Sequence, residues 1–187
     1  EALKYFGLDS EKPVVLVVGG SLGTRTLNNM MKSWIMTLNG EAPVQVIWQT
    51  GRYYENEMKS FLQTYPTANV WQGAFIDRMD YAYAIADVVI SRSGACSVSE
   101  LQLSAKPVVF IPSPNVAEDH QTKNAMALVN KNAAIMVKDS DTGLLLAESQ
   151  VVLSKKDQLI QLAQNIKQFA RPSAADDIAQ EVIKLAK

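Results

Sequence analysis

The sequence predicts an α/β fold in which a parallel sheet is covered by helices on both faces. Short β-branched runs alternate along the chain with longer stretches whose apolar residues recur at helical spacing, as in strand–helix units. The run Val14–Val18 is apolar at every position, which indicates a strand buried on both faces. A glycine-rich segment follows it directly, where the chain is expected to turn sharply into a helix.

The first half of the chain predicts three strands, each followed by a helix. Asn39-Gly40 is a turn sequence between the first helix and the second strand. We expect strands at residues 14–18, 44–49 and 69–71, a first helix that ends near Leu38, and further helices at residues 54–64 and 79–85.

The second half continues this alternation and then becomes wholly helical. Strands are expected at residues 87–90, 107–111 and 133–137, and helices at residues 95–104 and 119–130. Two apolar stripes at helical spacing follow, and such stripes are usually packing surfaces. They comprise Leu159, Leu162, Ala163, Ile166 and Phe169 before Pro172, and Ile178, Val182 and Leu185 after it. We expect one domain over residues 1–187, in which the last helices, about residues 155–187, pack back.

Composition excludes several kinds of function. The formal net charge is −1 and the basic residues are scattered, so no basic field attracts nucleic acid or an anionic membrane. The only cysteine, Cys96, excludes an internal disulfide and fits a reducing compartment. The only histidine, His120, excludes a metal site built from several histidines. The apolar runs are too short to span a bilayer, and the chain begins with Glu1, as a processed product or an excised fragment would.

The loops that follow the strands are where a ligand is expected. Right-handed crossovers place every strand-to-helix loop at one edge of a parallel sheet, and ligands bind outside the carboxyl ends of the strands in such folds. The four loops in question are residues 19–23, 73–78, 91–100 and 112–124.

The segment Gly19-Gly20-Ser21-Leu22-Gly23 joins the first strand to the first helix. Glycine lets the backbone approach a ligand closely, and the free N–H groups of the helix start that follows favour a phosphate. The spacing matches neither the dinucleotide-binding pattern G-x-G-x-x-G nor the P-loop, which disfavours a dinucleotide or ATP. Taken alone, these residues fit a tight structural turn equally well.

Residues 93–94, Ser-Gly, predict a second helix N-terminus at the same edge of the sheet. The N–H groups of Ala95, Cys96 and Ser97 are then expected to donate to phosphate or sugar oxygens. Glu100 lies more than one turn further on, and its carboxylate suits two adjacent hydroxyls such as those of a ribose. Taken alone, a glutamate on a helix is more often simply solvated.

Two further loops offer polar groups. Segment 73–77, Gly-Ala-Phe-Ile-Asp, follows the third strand, where exposed N–H and C=O groups would meet the edge of a base; the alternative is a plain surface loop. Segment 119–124, Asp-His-Gln-Thr-Lys-Asn, carries amides, which suit sugar hydroxyls because an amide both donates and accepts. The alternative there is an N-capped helix with a polar first turn.

Two other features are given little weight. Residues 139–141, Asp-Ser-Asp, have the form of a metal-binding D-x-D, but they stand between a strand and a helical stretch, where Asp and Ser are common caps. Cys96 stands at a helix start, but no base lies beside it in the sequence, which disfavours a nucleophilic role. We therefore expect neither a metal site nor a cofactor.

Five segments, in this order, carry a family resemblance. They are Val-Val-Gly-Gly-Ser-Leu-Gly at 17–23, Phe-Ile-Asp at 75–77, Ala-Asp-Val-Val-Ile-Ser-Arg-Ser-Gly-Ala at 86–95, Ser-Glu at 99–100 and Asp-His-Gln-Thr-Lys-Asn-Ala at 119–125. Together they resemble the C-terminal domain of the MurG family of glycosyltransferases, from about Val14 to the end of the chain. The resemblance implies a Rossmann-like domain, the C-terminal half of a two-domain enzyme of the GT-B class, whose last helices, about residues 155–187, would pack towards the N-terminal domain.

The resemblance also implies an activity. Enzymes of this family transfer N-acetylglucosamine (GlcNAc) from UDP-GlcNAc to the C4 hydroxyl of the muramoyl sugar of lipid I, with inversion, and so form lipid II for peptidoglycan. The acceptor site, the general base and the membrane patch belong to an N-terminal domain that this chain lacks. We therefore expect no catalytic residue in this chain, no activity from it alone, and a full-length protein at the inner face of the bacterial cell membrane.

The donor contacts that the resemblance implies fall on the same loops. Ser21, within the phosphate loop formed by Gly19, Gly20 and Gly23, would contact phosphate, and the backbone of Ile76 would contact uracil. Gln121 and Asn124 would contact the sugar hydroxyls. The strip that meets phosphate, sugar and ribose comprises Ala95, Cys96, Ser97, Val98, Ser99 and Glu100, with Glu100 on the ribose diol. Cys96 and Ser97 replace a pair that is often aliphatic-Thr in the family, which puts side-chain contacts from Ser97 in doubt.

Three alternatives remain. A UDP-GlcNAc 2-epimerase binds the same donor, although its additional acidic and histidine residues are not visible here. A separate subunit could complete its site with a partner chain. A nucleotide-binding module without activity is the third alternative, and turnover by the full-length protein would exclude it.

Overall fold

The computed structural model describes residues 1–9, 11–144 and 155–186. These residues form a six-stranded sheet in which all neighbouring strands are parallel. The strands are β1 (Val14–Val18), β2 (Glu41–Gln49), β3 (Ala68–Gly73), β4 (Val88–Ser91), β5 (Val108–Phe110) and β6 (Ile135–Met136). Their order is β3-β2-β1-β4-β5-β6. The topology therefore reverses between β1 and β4, which is where such sheets bind ligands.

Helices connect these strands as the sequence predicts. They are α1 (Ala2–Phe6), α2 (Arg25–Met36), α3 (Glu55–Thr64), α4 (Met79–Ile85), α5 (Ala95–Ser104), α6 (His120–Val129), α7 (Lys156–Lys167) and α8 (Ala174–Leu185). Short 3₁₀ turns occupy Arg52–Tyr54, Ala117–Asp119 and Asp139–Leu144. The sequence pattern does not predict α1, because its 5 residues are too few to show a helical period. Tertiary contact holds it instead, since the rings of Phe6 and Trp71 meet edge to face at 5.1 Å.

Two strand boundaries differ from the prediction because pairing sets them. The second strand begins at Glu41 rather than at residue 44, since Glu41 pairs with Ala68 ahead of an irregularity in the register. The last strand is shorter than the predicted residues 133–137. Ile135 and Met136 pair with Val109 and Phe110 of β5, and the strand ends there, although the N–H of Val137 still donates to the Phe110 carbonyl at 2.9 Å.

Side chains of β1 alternate between two hydrophobic clusters, one on each face of the sheet. Val15 and Val17 belong to the cluster that includes residues of α2 and α3. Val14 and Leu16 belong to the opposite cluster, which includes residues of α1, α4, α5, α6 and α7. These four side chains are at most 2% exposed. The prediction of a strand buried on both faces, with helices covering each face, is confirmed.

The two apolar stripes of the tail differ in burial. Leu162 and Ile166 of α7 are buried, so the first stripe is a packing surface, as predicted. No residue of α8 is buried among the described residues, and Ile178, Val182 and Leu185 are 65%, 59% and 88% exposed. Within the described ranges, no helix combines the length and apolar character needed to cross a membrane.

Candidate functional site

The predicted phosphate loop turns tightly at the carboxyl end of β1. The N–H of Gly23 donates to the carbonyl of Gly20 at 3.0 Å, and both residues have a positive φ, 85° and 82°, which glycine adopts without strain. The Thr24 hydroxyl donates to the carbonyl of Gly19 at 2.7 Å, and α2 begins at the next residue. The first N–H groups of α2 lack partners within the helix. They therefore lie beside this loop, in which Ser21 is exposed.

Gly51, which follows β2, lies directly behind the phosphate loop. A Cβ atom on Gly51 would lie 2.0 Å from the nitrogen of Gly23, and one on Gly23 would lie 2.2 Å from the carbonyl oxygen of Thr50. The N–H of Arg52 donates to the carbonyl of Ser21 at 3.2 Å. Gly51 was not among the residues predicted from the sequence. The available signal was a glycine just past a strand end, as at Gly19–Gly23.

A buried polar network fixes α2 to β2 beneath the loop. The side-chain amide of Asn28, which is 1% exposed, donates to the carbonyl of Thr50 at 3.0 Å. Its oxygen accepts from the indole N–H of Trp48 at 3.0 Å, and the Gln72 amide donates to the Thr50 hydroxyl at 3.0 Å. Because buried polar groups with partners resist rearrangement, the network holds the start of α2 in place.

The second predicted helix start is confirmed, with α5 beginning at Ala95 after Gly94. Ser93, fully buried, connects this turn to α6. Its hydroxyl donates to the carbonyl of Gln121 at 2.8 Å, and its own carbonyl accepts from the side-chain amide of Asn124 at 3.1 Å. The beginnings of α5 and α6 are therefore held side by side.

A cleft of about 450 Å³ lies between the phosphate loop and the start of α5. Gly20, Gly23 and Ser97 line it, together with Gln121 of α6. The side-chain oxygen of Gln121 accepts from the N–H of Ser113 at 3.0 Å, which fixes the orientation of its amide. Two helix N-termini thus open on one cleft, an arrangement that favours a ligand with two phosphates.

Arg92 joins three elements around this cleft. Its Nη1 atom donates to the carbonyls of Ile111 and Pro112 at 2.8 Å and 3.0 Å, and forms an ion pair with Asp139 Oδ1 at 2.5 Å. This contact lacks the geometry of a hydrogen bond, so its attraction is that of two charges. Asp139 Oδ2 accepts from the Thr26 hydroxyl at 2.9 Å. The pair therefore fixes α2 to the loop that leads into α5.

These contacts also bear on the predicted absence of a metal at residues 139–141. The Asp139 carboxylate is already occupied by Arg92 and Thr26, and Asp141 accepts from the adjacent Ser140 hydroxyl at 2.6 Å. Across the part of the chain that the structure describes, no three His, Cys, Asp or Glu residues converge. Asp139 therefore has a structural role in this segment, and the absence of a metal there stays a prediction.

Within the predicted strip over residues 95–100, the residues differ in what they can offer a ligand. The N–H of Val98 donates to the carbonyl of Gly94 at 2.9 Å, and its side chain packs against the core. The Ser99 hydroxyl donates to the carbonyl of Ala95 at 3.0 Å. Cys96 is exposed in the first turn, where helix N–H groups have no internal partner. The geometry therefore favours contacts from the first turn over contacts from Val98 and Ser99.

Ile76 and Glu100 lie outside the cleft. Ile76 is 1% exposed as a whole residue, and its backbone contact with a base stays a prediction. Glu100 lies in a groove between α4 and α5, where it accepts from the Tyr83 hydroxyl at 3.0 Å. Tyr83 was not predicted as a site residue, because the helical pattern gives no signal there other than an aromatic residue facing the core.

Comparison with known proteins places this chain in a family. Residues 14–181 match the family model described as the glycosyltransferase family 28 C-terminal domain. A relative from Parabacteroides distasonis is 50% identical over 186 residues and is named UDP-N-acetylglucosamine--N-acetylmuramyl-(pentapeptide) pyrophosphoryl-undecaprenol N-acetylglucosamine transferase. The match covers 99% of this chain and 50% of the relative, so the chain spans about half the length of the curated relatives it matches.

Solved structures agree with this match. A crystal structure of Acinetobacter baumannii MurG is similar with a TM-score of 0.79 and 28% identity, over 98% of this chain and 53% of that chain. A UDP-GlcNAc 2-epimerase from Neisseria meningitidis, bound to UDP-GlcNAc, has a TM-score of 0.65 and 12% identity, over 98% of this chain and 47% of that one. The second likeness shows the fold alone, so nothing here favours the epimerase alternative.

Proposed function

Because this chain belongs to the family of glycosyltransferase family 28 C-terminal domains, we propose that it is the UDP-GlcNAc-binding half of an inverting glycosyltransferase. The full-length protein transfers GlcNAc to lipid I and so forms lipid II for peptidoglycan. The names of relatives about twice as long as this chain support this donor and acceptor.

The observation that carries the proposal is the pair of helix N-termini that open on one cleft. The start of α2 follows the phosphate loop, and the start of α5 lies opposite it. Each helix start attracts an anion by about 0.3–1 kcal/mol or more, and a nucleoside diphosphate has one phosphate for each. Glu100 lies one turn beyond Ser97, where a ribose attached to the nearer phosphate would be. Backbone groups at Ile76 would meet the base.

In the proposed reaction this chain holds the donor and stabilises the leaving group. Negative charge develops on the diphosphate as the bond to the sugar breaks, and fixed N–H groups stabilise it without reorganisation. Inversion also needs a base on the opposite face of the sugar. His120 is the first residue of α6, on the donor side, with Nδ1 2.9 Å from the carbonyl of Ala117, so we assign the base to the other half of the protein.

The first test is donor binding without a metal. We expect calorimetric titration of this chain to show saturable UDP binding with a Kd of about 1 mM or lower, equivalent to about −4 kcal/mol. The affinity should be the same in EDTA, because N–H groups replace a cation at the diphosphate. Absence of saturable heat at millimolar UDP would refute the proposal. If chelation lowers the UDP affinity and Mg²⁺ or Mn²⁺ restores it, residues 139–141 would be a metal site after all.

The second test concerns the choice of sugar. UDP-GlcNAc and UDP-GalNAc differ only in the direction of the C4 hydroxyl, and a site that hydrogen-bonds a hydroxyl can discriminate by up to about 10⁴-fold. In the full-length protein, Gln121→Ala should lower kcat/KM for UDP-GlcNAc and reduce its advantage over UDP-GalNAc, while UDP binding stays nearly constant. Asn124→Ala should act likewise, with an added loss of stability because its amide also supports Ser93.

The exposed neighbour Lys123 on α6 supplies the control for the sugar experiment. Lys123→Ala should leave kcat/KM unchanged for both UDP-GlcNAc and UDP-GalNAc. If selectivity survives both amide changes, the amides serve only the contacts within the chain at Ser113 and Ser93, and the sugar is recognised elsewhere.

We assign the remaining functions of the enzyme to the half of the protein that its relatives have beyond this chain. That half would bind lipid I and contact the inner face of the bacterial membrane. The apolar stripe of α8, formed by Ile178, Val182 and Leu185, is exposed among the described residues. We place that half against this stripe, because a contiguous exposed apolar face is typical of an interaction surface.

A further inference from the structure

Tyr83 donates a hydrogen bond to the residue on which ribose binding is predicted to depend. Its hydroxyl lies 3.0 Å from Oε2 of Glu100 and bridges α4 to α5. Burial of the ring and the adjacent Glu100 carboxylate raise the pKa of Tyr83 well above its ordinary value. The phenol therefore keeps its proton and remains a donor, while Glu100 supplies the acceptor oxygen.

The position of Glu100 on α5 connects this contact to the cleft. Ser97 lines the cleft, and Glu100, three residues later, lies on the same side of the helix about 4.5 Å further along its axis. Glu100 also lines a second groove, of about 450 Å³, between α4 and α5. A ligand with its phosphates at the helix start can thus place its next group, the ribose, at this carboxylate.

The helix that carries Tyr83 is fixed relative to α5 near its C-terminal end. The Lys106 ammonium, just after α5, donates to the carbonyls of Ala84 and Ala86 at 3.2 Å and 2.9 Å. At its other end, α4 begins at Met79, directly after the loop of Ile76. The Tyr83 hydroxyl therefore has a defined position relative to both the predicted ribose contact and the predicted base contact.

We propose that Tyr83 is a positioning residue that orients the Glu100 carboxylate towards the vicinal diol of a ribose. Glu100 is exposed, and an exposed glutamate samples many rotamers whose loss opposes binding. One oxygen held by Tyr83 restricts those rotamers before the ligand arrives and leaves the other oxygen to accept from the hydroxyls. This role rests on the proposed function, since it needs a nucleotide in the cleft.

The test is a double-mutant cycle on UDP binding, measured by calorimetry on this chain. Tyr83→Phe removes one hydroxyl and should lower UDP affinity about fivefold. In a Glu100→Ala background the same change should have no effect, because no carboxylate remains to be oriented. With 2′-deoxy-UDP, which lacks one of the two hydroxyls, the loss caused by Tyr83→Phe should be smaller than with UDP.

The matched control is Tyr81 on the same helix. Its hydroxyl also donates to a carboxylate, that of Glu1, at 3.1 Å. Tyr81→Phe should leave UDP affinity unchanged. An equal loss from Tyr83→Phe with and without Glu100 would overturn the positioning role, as would an unchanged affinity in a chain that binds UDP. A wild-type chain that binds no UDP would instead refute the proposed function, and this role with it.

Discussion

Replacing Gly51 with alanine is expected to abolish UDP binding and to lower the free energy of unfolding by about 4 kcal/mol. Gly51 has φ 80° and ψ 152°, a region of backbone space that is essentially restricted to glycine. The added methyl group would also lie 2.0 Å from the nitrogen of Gly23. Backbone strain and overlap therefore act together, and the overlap falls on the phosphate loop itself.

Urea unfolding and a UDP titration of the same variant measure the two effects. Gly40→Ala is the matched control, because Gly40 also has a positive φ, 87°, but the nearest atom to its Cβ would be the Pro66 oxygen at 3.8 Å. The free energy of unfolding of Gly40→Ala should fall by only about 1–2 kcal/mol, and its UDP affinity should be unchanged. If Gly51→Ala behaves like Gly40→Ala in both measurements, the close approach of the two loops does not shape the site.

Arg92→Met is expected to lower the free energy of unfolding by about 3–5 kcal/mol and to weaken UDP binding. Arg92 and Asp139 are 14% and 23% exposed, so the change leaves a mostly buried carboxylate without its cation. It also releases the connection through Thr26 between α2 and the loop before α5, the two elements whose N-termini open on the cleft. Chemical unfolding and UDP titration test both consequences.

An exposed ion pair supplies the control for Arg92. Arg78 pairs with Asp80 where the two side chains are 42% and 62% exposed, and such pairs contribute at most about 1 kcal/mol. Arg78→Met should therefore change the free energy of unfolding very little. Adding Asp139→Leu to Arg92→Met should recover part of the lost stability, since it removes the unpaired charge. If Arg92→Met and Arg78→Met lower the free energy of unfolding equally, the Arg92–Asp139 pair has no structural role.

The parts of the fold that sequence alone predicted are those with local causes. The helix α5 was predicted over residues 95–104 and observed at Ala95–Ser104, because the Ser-Gly pair before it is a local signal. The boundaries of β1 follow from an unbroken apolar run. The start of β2 at Glu41 could not be obtained in this way, since it depends on pairing with Ala68.

The same distinction applies to the site. The loops that form the cleft were predicted, because parallel topology brings strand ends to one edge. The contacts that fix those loops join residues distant in sequence. Asp139 and Thr26 are separated by 113 positions, and no local pattern relates them. The ligand contacts assigned to Ser21, Ile76, Glu100 and the α6 amides remain predictions.

The alternation of β1 side chains between the two clusters has a mechanical consequence. Each helical layer is anchored to the same five residues of one strand, Val14–Val18, so neither layer can slide or loosen without disturbing the other. We therefore expect internal motion mainly in the loops at the edge of the sheet, with the sheet and its two helical layers displaced only as a unit. A load on either helical layer is expected to pass through these five residues to the other layer, so that the domain responds as one stiff body.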